Sequence, residues 1–404
     1  MKRIGETCLA VRRGATLVSC ALIIGSAARC ARPMADHPVG AGDGLDVAIA
    51  DSVHRILARA LADSAFPGAF AIVGSAEHIY ASTGIGHLDW APSAAPDENS
   101  IWDLASLSKV IGMTTAMMQL AELGRVSLDA PVQGYLPEWI GPGKEPVTVR
   151  HLLTHSSGLP AFILMYKEAT SPDDARRRLY AVPLDTIPGA RAVYSDIGAY
   201  LAGEIVRVVS GETLDVYLAR HVFEPLRMTS TMYRPDSALR ARIAPTEIDP
   251  WRKRHVWGEV HDENAYALGG VSAHAGLFGS AHDLARFARM LLRGGELDGV
   301  RIVSRETVAR FTHVQDSALS SRALGWDTPS PGSSAGHLMS RRAFGHTGFT
   351  GTSIWIDPDR DLFVILLSNR VNPTRANSKV GPVRVALADA VVRALDAAKR
   401  RREP

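Results

Sequence analysis

Two consecutive apolar runs near the C-terminus constrain the fold most. Thr352 to Asp357 and Leu362 to Ser368 are separated by a turn at Pro358-Asp359-Arg360. The second run reads Leu-Phe-Val-Ile-Leu-Leu-Ser, apolar at even and odd positions alike. A strand with one wet face alternates, whereas a continuous apolar run belongs to a strand covered on both sides. The pair therefore predicts a hairpin of central-strand character. At the other end of the chain, Gly68 to Gly74 and His78 to Thr83 read as a second hairpin. Helical spacing flanks both. Leu45 to Leu61 carries Val47, Ile49, Val53, Ile56 and Leu57 on one side, and Pro382 to Ala398 reads as a closing helix. Strands at the two ends with helices between them predict one sheet built from both termini. The stretch from about 130 to 260 is rich in helix and loop and reads as an inserted lobe. The expected class is α+β: a sandwich lobe with a central antiparallel sheet flanked by helices, plus an all-helical lobe.

The N-terminus reads as an export leader. Lys2, Arg3, Arg12 and Arg13 precede an uncharged, mostly apolar stretch from Gly14 to Ala28, with Ser26-Ala27-Ala28 as a cleavage triplet. That stretch is too short to span a bilayer comfortably. Leu17-Val18-Ser19-Cys20 also resembles a lipoprotein box, so membrane attachment is expected only if Cys20 is lipidated. The expected organisation is a leader over 1–28, a linker over 29–43, one large two-lobed domain over 44–398 and a basic tail over 399–404. The expected destination is the periplasm or the extracellular space. The leader also carries the formal net charge of +3, because its four basic residues face only Glu6. The rest of the chain is close to neutral, which gives no argument for a nucleic-acid partner. Oligomeric state is not legible.

Cys8, Cys20 and Cys30 all lie in or beside the leader, so the body has neither a thiol nucleophile nor a cysteine metal site. His151 and His155 are four apart, but no HExxH pattern surrounds them, and they read as buried rings satisfied by backbone. No metal or cofactor is expected. Oxygen chemistry remains. In Ser106-Leu107-Ser108-Lys109 a serine lies three residues before a lysine, ahead of the apolar run Val110 to Leu123. On a helix these two side chains share a face. A lysine desolvated there can lose its proton and activate the serine. Ser-x-x-Lys alone is equally compatible with a capping serine and a snorkelling lysine.

Two later elements give the pair its context: Tyr194-Ser195-Asp196 and His346-Thr347-Gly348, the latter directly before the C-terminal hairpin. The ordered set Ser-x-x-Lys, Tyr-x-Asp, His-Thr-Gly resembles the serine β-lactamase and penicillin-binding-protein superfamily, in the branch with class C β-lactamases, D-alanyl-D-alanine carboxypeptidases and related esterases. Asp103 to Lys109, Val149 to Leu159 and Glu224 to Met228 also look like this branch. Val260 to Asn264, Gly269 to Phe278 and Ser368 to Arg375 look most like the penicillin-binding-protein 4B type of carboxypeptidase. The likeness runs from about residue 45 to about 395 and implies a β-lactamase/transpeptidase-like fold.

The resemblance implies a role for each residue. Ser106 is the nucleophile and becomes acylated. Lys109 takes its proton or lowers its pKa. Tyr194 relays a proton to the leaving group and later activates water. His346, Thr347 and Gly348 lie on the strand edge that pairs with substrate, and the N–H groups of Ser106 and Phe349 form the oxyanion hole. Two positions depart from the pattern. Asp196 stands where many relatives have Asn. An ionised Asp only accepts hydrogen bonds, and it can pair with Lys109 instead. His346 stands where efficient β-lactamases carry Lys, which reduces the fixed positive charge facing a substrate carboxylate. Both count against an efficient β-lactamase. The implied activity is a D-alanyl-D-alanine carboxypeptidase or penicillin-binding function on cell-wall peptides. An esterase on small acyl esters and a non-catalytic binder of cell-wall peptides are the alternatives.

Overall fold

The computed structural model describes residues 44–402. The leader, the linker and the last two residues lie outside the described residues.

A five-stranded antiparallel sheet takes its strands from both ends of this span. From edge to edge they are Phe344–Thr347, Ser353–Asp357, Leu362–Ser368, Gly68–Gly74 and Ile79–Gly86. The inner strands are buried at every position because both faces are covered, and side-chain alternation sorts them into two cores. Ala69, Ala71, Val73, Val364 and Leu366 pack against the helices Gly44–Ala62 and Val380–Arg402. Phe70, Ile72, Phe363, Ile365 and Leu367 face the opposite way, into the larger core with Leu104, Leu107 and Val110. Ser368 pairs with Ala69 and Gly74 with Phe363, which joins the two hairpins through their central strands.

The first helix buries Ile49, Val53, Leu57 and Ala60, but Val47 is exposed. Position 47 lies about 200° around the helix from 49, on the wet side. The last helix continues through Lys399 to Arg402, which the sequence reading set apart as a tail; Lys399 and Arg400 are exposed. Lysine and arginine are good helix formers and suit the negative C-terminal end of the dipole.

Between the hairpins lie the helices Val149–Leu153, Pro172–Ala181, Asp196–Ser210 and Leu214–Leu218, the first three joined by long loops and the last two by a short turn. Between 230 and 260 the only helical segment among the described residues is the short 3₁₀ stretch Ser237–Arg242, set among two-residue strands. Met232–Tyr233 pairs with Leu277–Ser280, which also pairs with Ile101–Asp103. These strands are too short to show a period in sequence. Met113, Met117 and Met118 are buried core residues. Among the described residues no helix is long and apolar enough to cross a membrane.

Candidate active site

The strand Ile101–Asp103 ends in a sharp turn. Ala105 takes a left-handed φ of 47°, held by its N–H donating to the buried Asp103 carboxylate at 2.8 Å. Burial raises the Asp103 carboxyl above the usual range despite its donors His261 and Ala105. The following turn lifts Ser106, which is half-buried, while its neighbours Ala105 and Leu107 are fully buried. Ser106 thus lies in the turn just ahead of the helix rather than within it. Its carbonyl accepts the Lys109 N–H at 3.1 Å, and the chain then widens into π-helical turns over Ser108–Thr114. The expected meeting of side chains still occurs: Lys109 Nζ donates to Ser106 Oγ at 3.2 Å.

Lys109 is buried and doubly anchored besides. Nζ donates to the His274 carbonyl at 2.9 Å and lies 2.7 Å from Asp196 Oδ1. Burial disfavours its charge, but Asp196 and then Tyr194 outweigh that, and the lysine sits above its ordinary pKa. This corrects the expectation of a lysine unloaded by desolvation: the residue that departs from the usual motif supplies the counter-charge.

Tyr194 precedes the helix Asp196–Ser210, whose N-cap is Ser195. Its ring lies between His155 and His346, at centroid distances of 4.7 and 5.7 Å. Its buried hydroxyl has no hydrogen-bond partner among the described residues. Burial raises its pKa further above neutrality than Lys109 can offset, so the phenol is protonated at rest. His155 Nδ1 accepts the Ser195 N–H at 3.1 Å and His151 Nδ1 accepts the Thr148 N–H at 3.2 Å, so both rings are satisfied by backbone. His155 nevertheless shapes the site, since it fixes the segment that carries Tyr194.

His346 Nδ1 lies 2.8 Å from the Thr347 carbonyl, and Arg322 Nη1 lies 3.5 Å from its Nε2. Burial, then Arg322, drives His346 well below the usual histidine range, so the ring is neutral. Arg322 also lies 5.2 Å over the Tyr194 ring. The fixed positive charge missing from His346 is thus present, on a residue the sequence did not single out. Arg322 occupies a loop without periodicity, and nothing local marks it.

Gly348 has a packing reason. A Cβ there would meet Thr352 Oγ1 at 2.0 Å and the Leu104 carbonyl oxygen at 2.5 Å. Only glycine lets the strand edge approach the serine turn so closely. The N–H groups of Ser106 and Phe349 donate to no acceptor among the described residues and remain open to a ligand. Phe349 itself is half-exposed, with its ring stacked on His261 at 5.7 Å.

Ser106, Tyr194, Arg322, His346, Thr347, Gly348 and Phe349 line one cleft of about 420 Å³. Lys109 and Asp196 adjoin it, the lysine in contact with Ser106 Oγ and with Asp196. A larger cavity of about 550 Å³ beside Tyr166, Trp251 and Tyr266 includes none of these groups. Chemically, the cleft brings a serine, a charged lysine, a protonated phenol and two free amides toward one point, a set suited to acyl transfer. No group of three or more His, Cys, Asp or Glu side chains among the described residues is arranged to hold a metal ion.

Comparison with known proteins agrees with this arrangement. The beta-lactamase family profile matches residues 53–388. A protein of Salmonella agona strain SL483 named "Putative D-alanyl-D-alanine carboxypeptidase" is 30% identical over 316 residues, covering 70% of this chain and 72% of that protein. Among solved structures, a penicillin-binding protein homologue from Caulobacter crescentus superimposes with a TM-score of 0.71 at 22% identity, over 86% of this chain and 97% of that one. EstCE1, described as a hydrolase with promiscuous acyltransferase activity, gives 0.70 at 20% identity, over 87% and 100%. These two similarities establish the fold.

Proposed function

The chain belongs to the beta-lactamase family of serine hydrolases, and from that premise we propose that it is a D-alanyl-D-alanine carboxypeptidase that forms an acyl-enzyme on Ser106. The observation that carries this reading is the contact of Ser106 Oγ with Lys109 Nζ at 3.2 Å, inside a cleft where two amides stand free. Arg322 supports the substrate class, because a guanidinium beside His346 and Thr347 suits a peptide's terminal carboxylate. The relative's name points the same way.

The charge states at rest shape the mechanism. Lys109 is protonated and Tyr194 is neutral, so neither can take the serine proton directly. The 2.7 Å ion pair offers a route: Lys109 passes a proton to Asp196 as it receives the one from Ser106. Ser106 Oγ then bonds to the substrate carbonyl carbon, and the oxyanion is met by the Ser106 and Phe349 N–H groups. As the amide C–N bond breaks, Tyr194 gives its proton to the leaving amine and becomes a phenolate. In deacylation the phenolate takes a proton from water, whose oxygen attacks the ester. Ser106 recovers its proton from Lys109, and Asp196 returns its own to the lysine. Every group ends as it began.

Esterase activity on small acyl esters is the second reading, and Asp196 favours it. A carboxylate engaged with Lys109 cannot donate to a substrate amide, and esters depend less on leaving-group protonation. The test is release of D-alanine from a peptide ending in D-Ala-D-Ala, beside release of nitrophenolate from 4-nitrophenyl butyrate. D-Alanine release supports the carboxypeptidase; turnover of the ester alone replaces it with the esterase. Export to the periplasm or beyond is part of the proposal. It rests on the basic and apolar segments of residues 1–28.

A further inference from the structure

Behind Lys109 runs a loop held in place largely by side chains. It joins the short helix Glu263–Ala267 to the strand Leu277–Ser280 and carries His274, whose carbonyl accepts from Lys109 Nζ at 2.9 Å. Among the described residues, no N–H from Val271 to Ala275 donates to a backbone carbonyl. The His274 ring takes over. Its Nδ1 lies 2.6 Å from Ser272 Oγ and its Nε2 lies 2.9 Å from Asp262 Oδ1. An N–H donated from Nε2 to the carboxylate fits the neutral ring, which then accepts from Ser272, and the imidazolium alike. Asp262 is fixed in turn as the cap of the Glu263–Ala267 helix, where it accepts the Ala265 N–H at 2.7 Å. The Tyr233 hydroxyl donates to the Ser272 carbonyl at 3.0 Å.

Serine, histidine and aspartate are also the residue types of a nucleophilic triad, but here they serve another end. Ser272 and His274 are each 3% exposed, and Ser272 stands outside the cleft that Ser106 lines, so a substrate cannot reach it. What the trio controls is the ammonium. A lysine has three N–H groups to place. Two go to the groups that exchange protons in the proposed chemistry, Ser106 Oγ at 3.2 Å and Asp196 Oδ1 at 2.7 Å, and the third goes to the His274 carbonyl. Three fixed acceptors leave the ammonium one position, and a carbonyl that shifted would draw Nζ away from Ser106. The loop and the strand it leads into are also registered against both partners. Leu277 donates to Ser108 Oγ at 3.0 Å and accepts the Leu104 N–H at 2.9 Å, on either side of Ser106. Ala273 packs on the helix Asp196–Ser210 at Gly203, where an added Cβ would meet the Ala273 Cβ at 2.5 Å.

We infer that Asp262 and Ser272, acting through the ring and the carbonyl of His274, are positioning residues for Lys109: they hold its ammonium between Ser106 and Asp196. None of the three touches the reacting atoms with its side chain. Their effect on rate rests on the proposed acyl transfer at Ser106; the positioning itself does not.

The test reads the Lys109 ammonium directly, by NMR on the full chain carrying 15N-labelled lysine. An ammonium held by three acceptors gives a slowly exchanging signal, assigned by its loss in Lys109→Met. Asp262→Ala and His274→Ala should each speed its exchange with water by about tenfold or more, the effect of losing one hydrogen bond to a charged group. Asp262→Asn keeps an oxygen for Nε2–H and for the Ala265 N–H, and should fall between wild type and Asp262→Ala. The double variant should be no worse than His274→Ala, because one residue acts through the other. For 4-nitrophenyl butyrate, kcat should fall by up to about 100-fold in Asp262→Ala with KM little changed. If His274→Ala fails to fold by circular dichroism, the two Asp262 variants still give the answer. No slowly exchanging signal in wild type, unchanged exchange in Asp262→Ala, or additive effects in the double variant would each overturn the inference. The exchange pattern needs no turnover: seen in a protein that hydrolyses no substrate, it upholds the positioning and strikes the acyl-transfer reading alone.

Discussion

Asp196 Oδ1 lies 2.7 Å from Lys109 Nζ, and this ion pair sets the resting charge of the whole site. Asp196, at the position where many relatives carry Asn, holds the buried lysine as an ammonium. In the proposed acyl transfer, the proton leaving Ser106 is exchanged through the pair.

Replacing Asp196 with Asn tests that control. Lys109 is raised because Asp196 and Tyr194 together overcome its burial. With Asp196 neutralised, burial dominates and the amine loses its proton at lower pH. In the proposed mechanism the wild-type pair works with Lys109 charged, whereas Asp196→Asn has no carboxylate to take the lysine's proton and must wait for the neutral amine, so the rising limb of kcat/KM against pH should move toward higher pH. An unchanged limb would show that the lysine does not govern it.

Tyr194→Phe removes a buried hydroxyl beside Ser106 and Lys109 that has no hydrogen-bond partner among the described residues. Loss of a general acid typically costs ~100- to 10,000-fold. The loss should be much larger for an amide substrate than for a 4-nitrophenyl ester, because nitrophenolate departs without a proton. Equal losses on both would remove Tyr194 from leaving-group protonation.

Gly348→Ala probes the approach of the strand edge to the serine turn. The added methyl would stand 2.5 Å from the Leu104 carbonyl oxygen and 2.0 Å from Thr352 Oγ1. Overpacking of this kind costs ~1–3 kcal/mol. A lowered Tm with slowed acylation is expected. An unchanged Tm would mean that the turn yields easily.

Glu247 is a stability element. It accepts from His261 at 3.0 Å and from Arg375 Nε at 2.6 Å. Burial alone would raise its pKa, but His261 and Arg375 carry it down to about 2. A depressed carboxyl stabilises the fold above its unfolded pKa, and that stability fades as pH falls through the folded value. Glu247→Gln should lower stability near neutral pH by ~3–5 kcal/mol, with the difference from wild type shrinking from about pH 4.5 down to about pH 2. A pH-independent difference would point to packing rather than charge.

The parts of this molecule legible in sequence are those that repeat a physical period or a spaced motif. Leu362–Ser368 announces a covered strand because both parities are apolar, and Ser106 with Lys109 reads as a pair because three residues make one turn. The Asp196 pairing was legible too, since an acid in place of an amide needs a cation. Arg322, Arg370 and Arg384 were not legible as site residues. They reach the cleft from loops and a helix start, and only the fold brings those together. The charge of Lys109 has the same limit: its burial is foreseeable from the apolar run, but the balance against Asp196 depends on a distance.

The central claim is that Ser106 is acylated. Intact-protein mass spectrometry after incubation with benzylpenicillin tests it most directly, with wild type beside Ser106→Ala. The expected result is a mass gain equal to one penicilloyl group in wild type, mapped by peptide digestion to Ser106, and no gain in Ser106→Ala. The same gain in Ser106→Ala, or an adduct in wild type mapped to another residue, would contradict it.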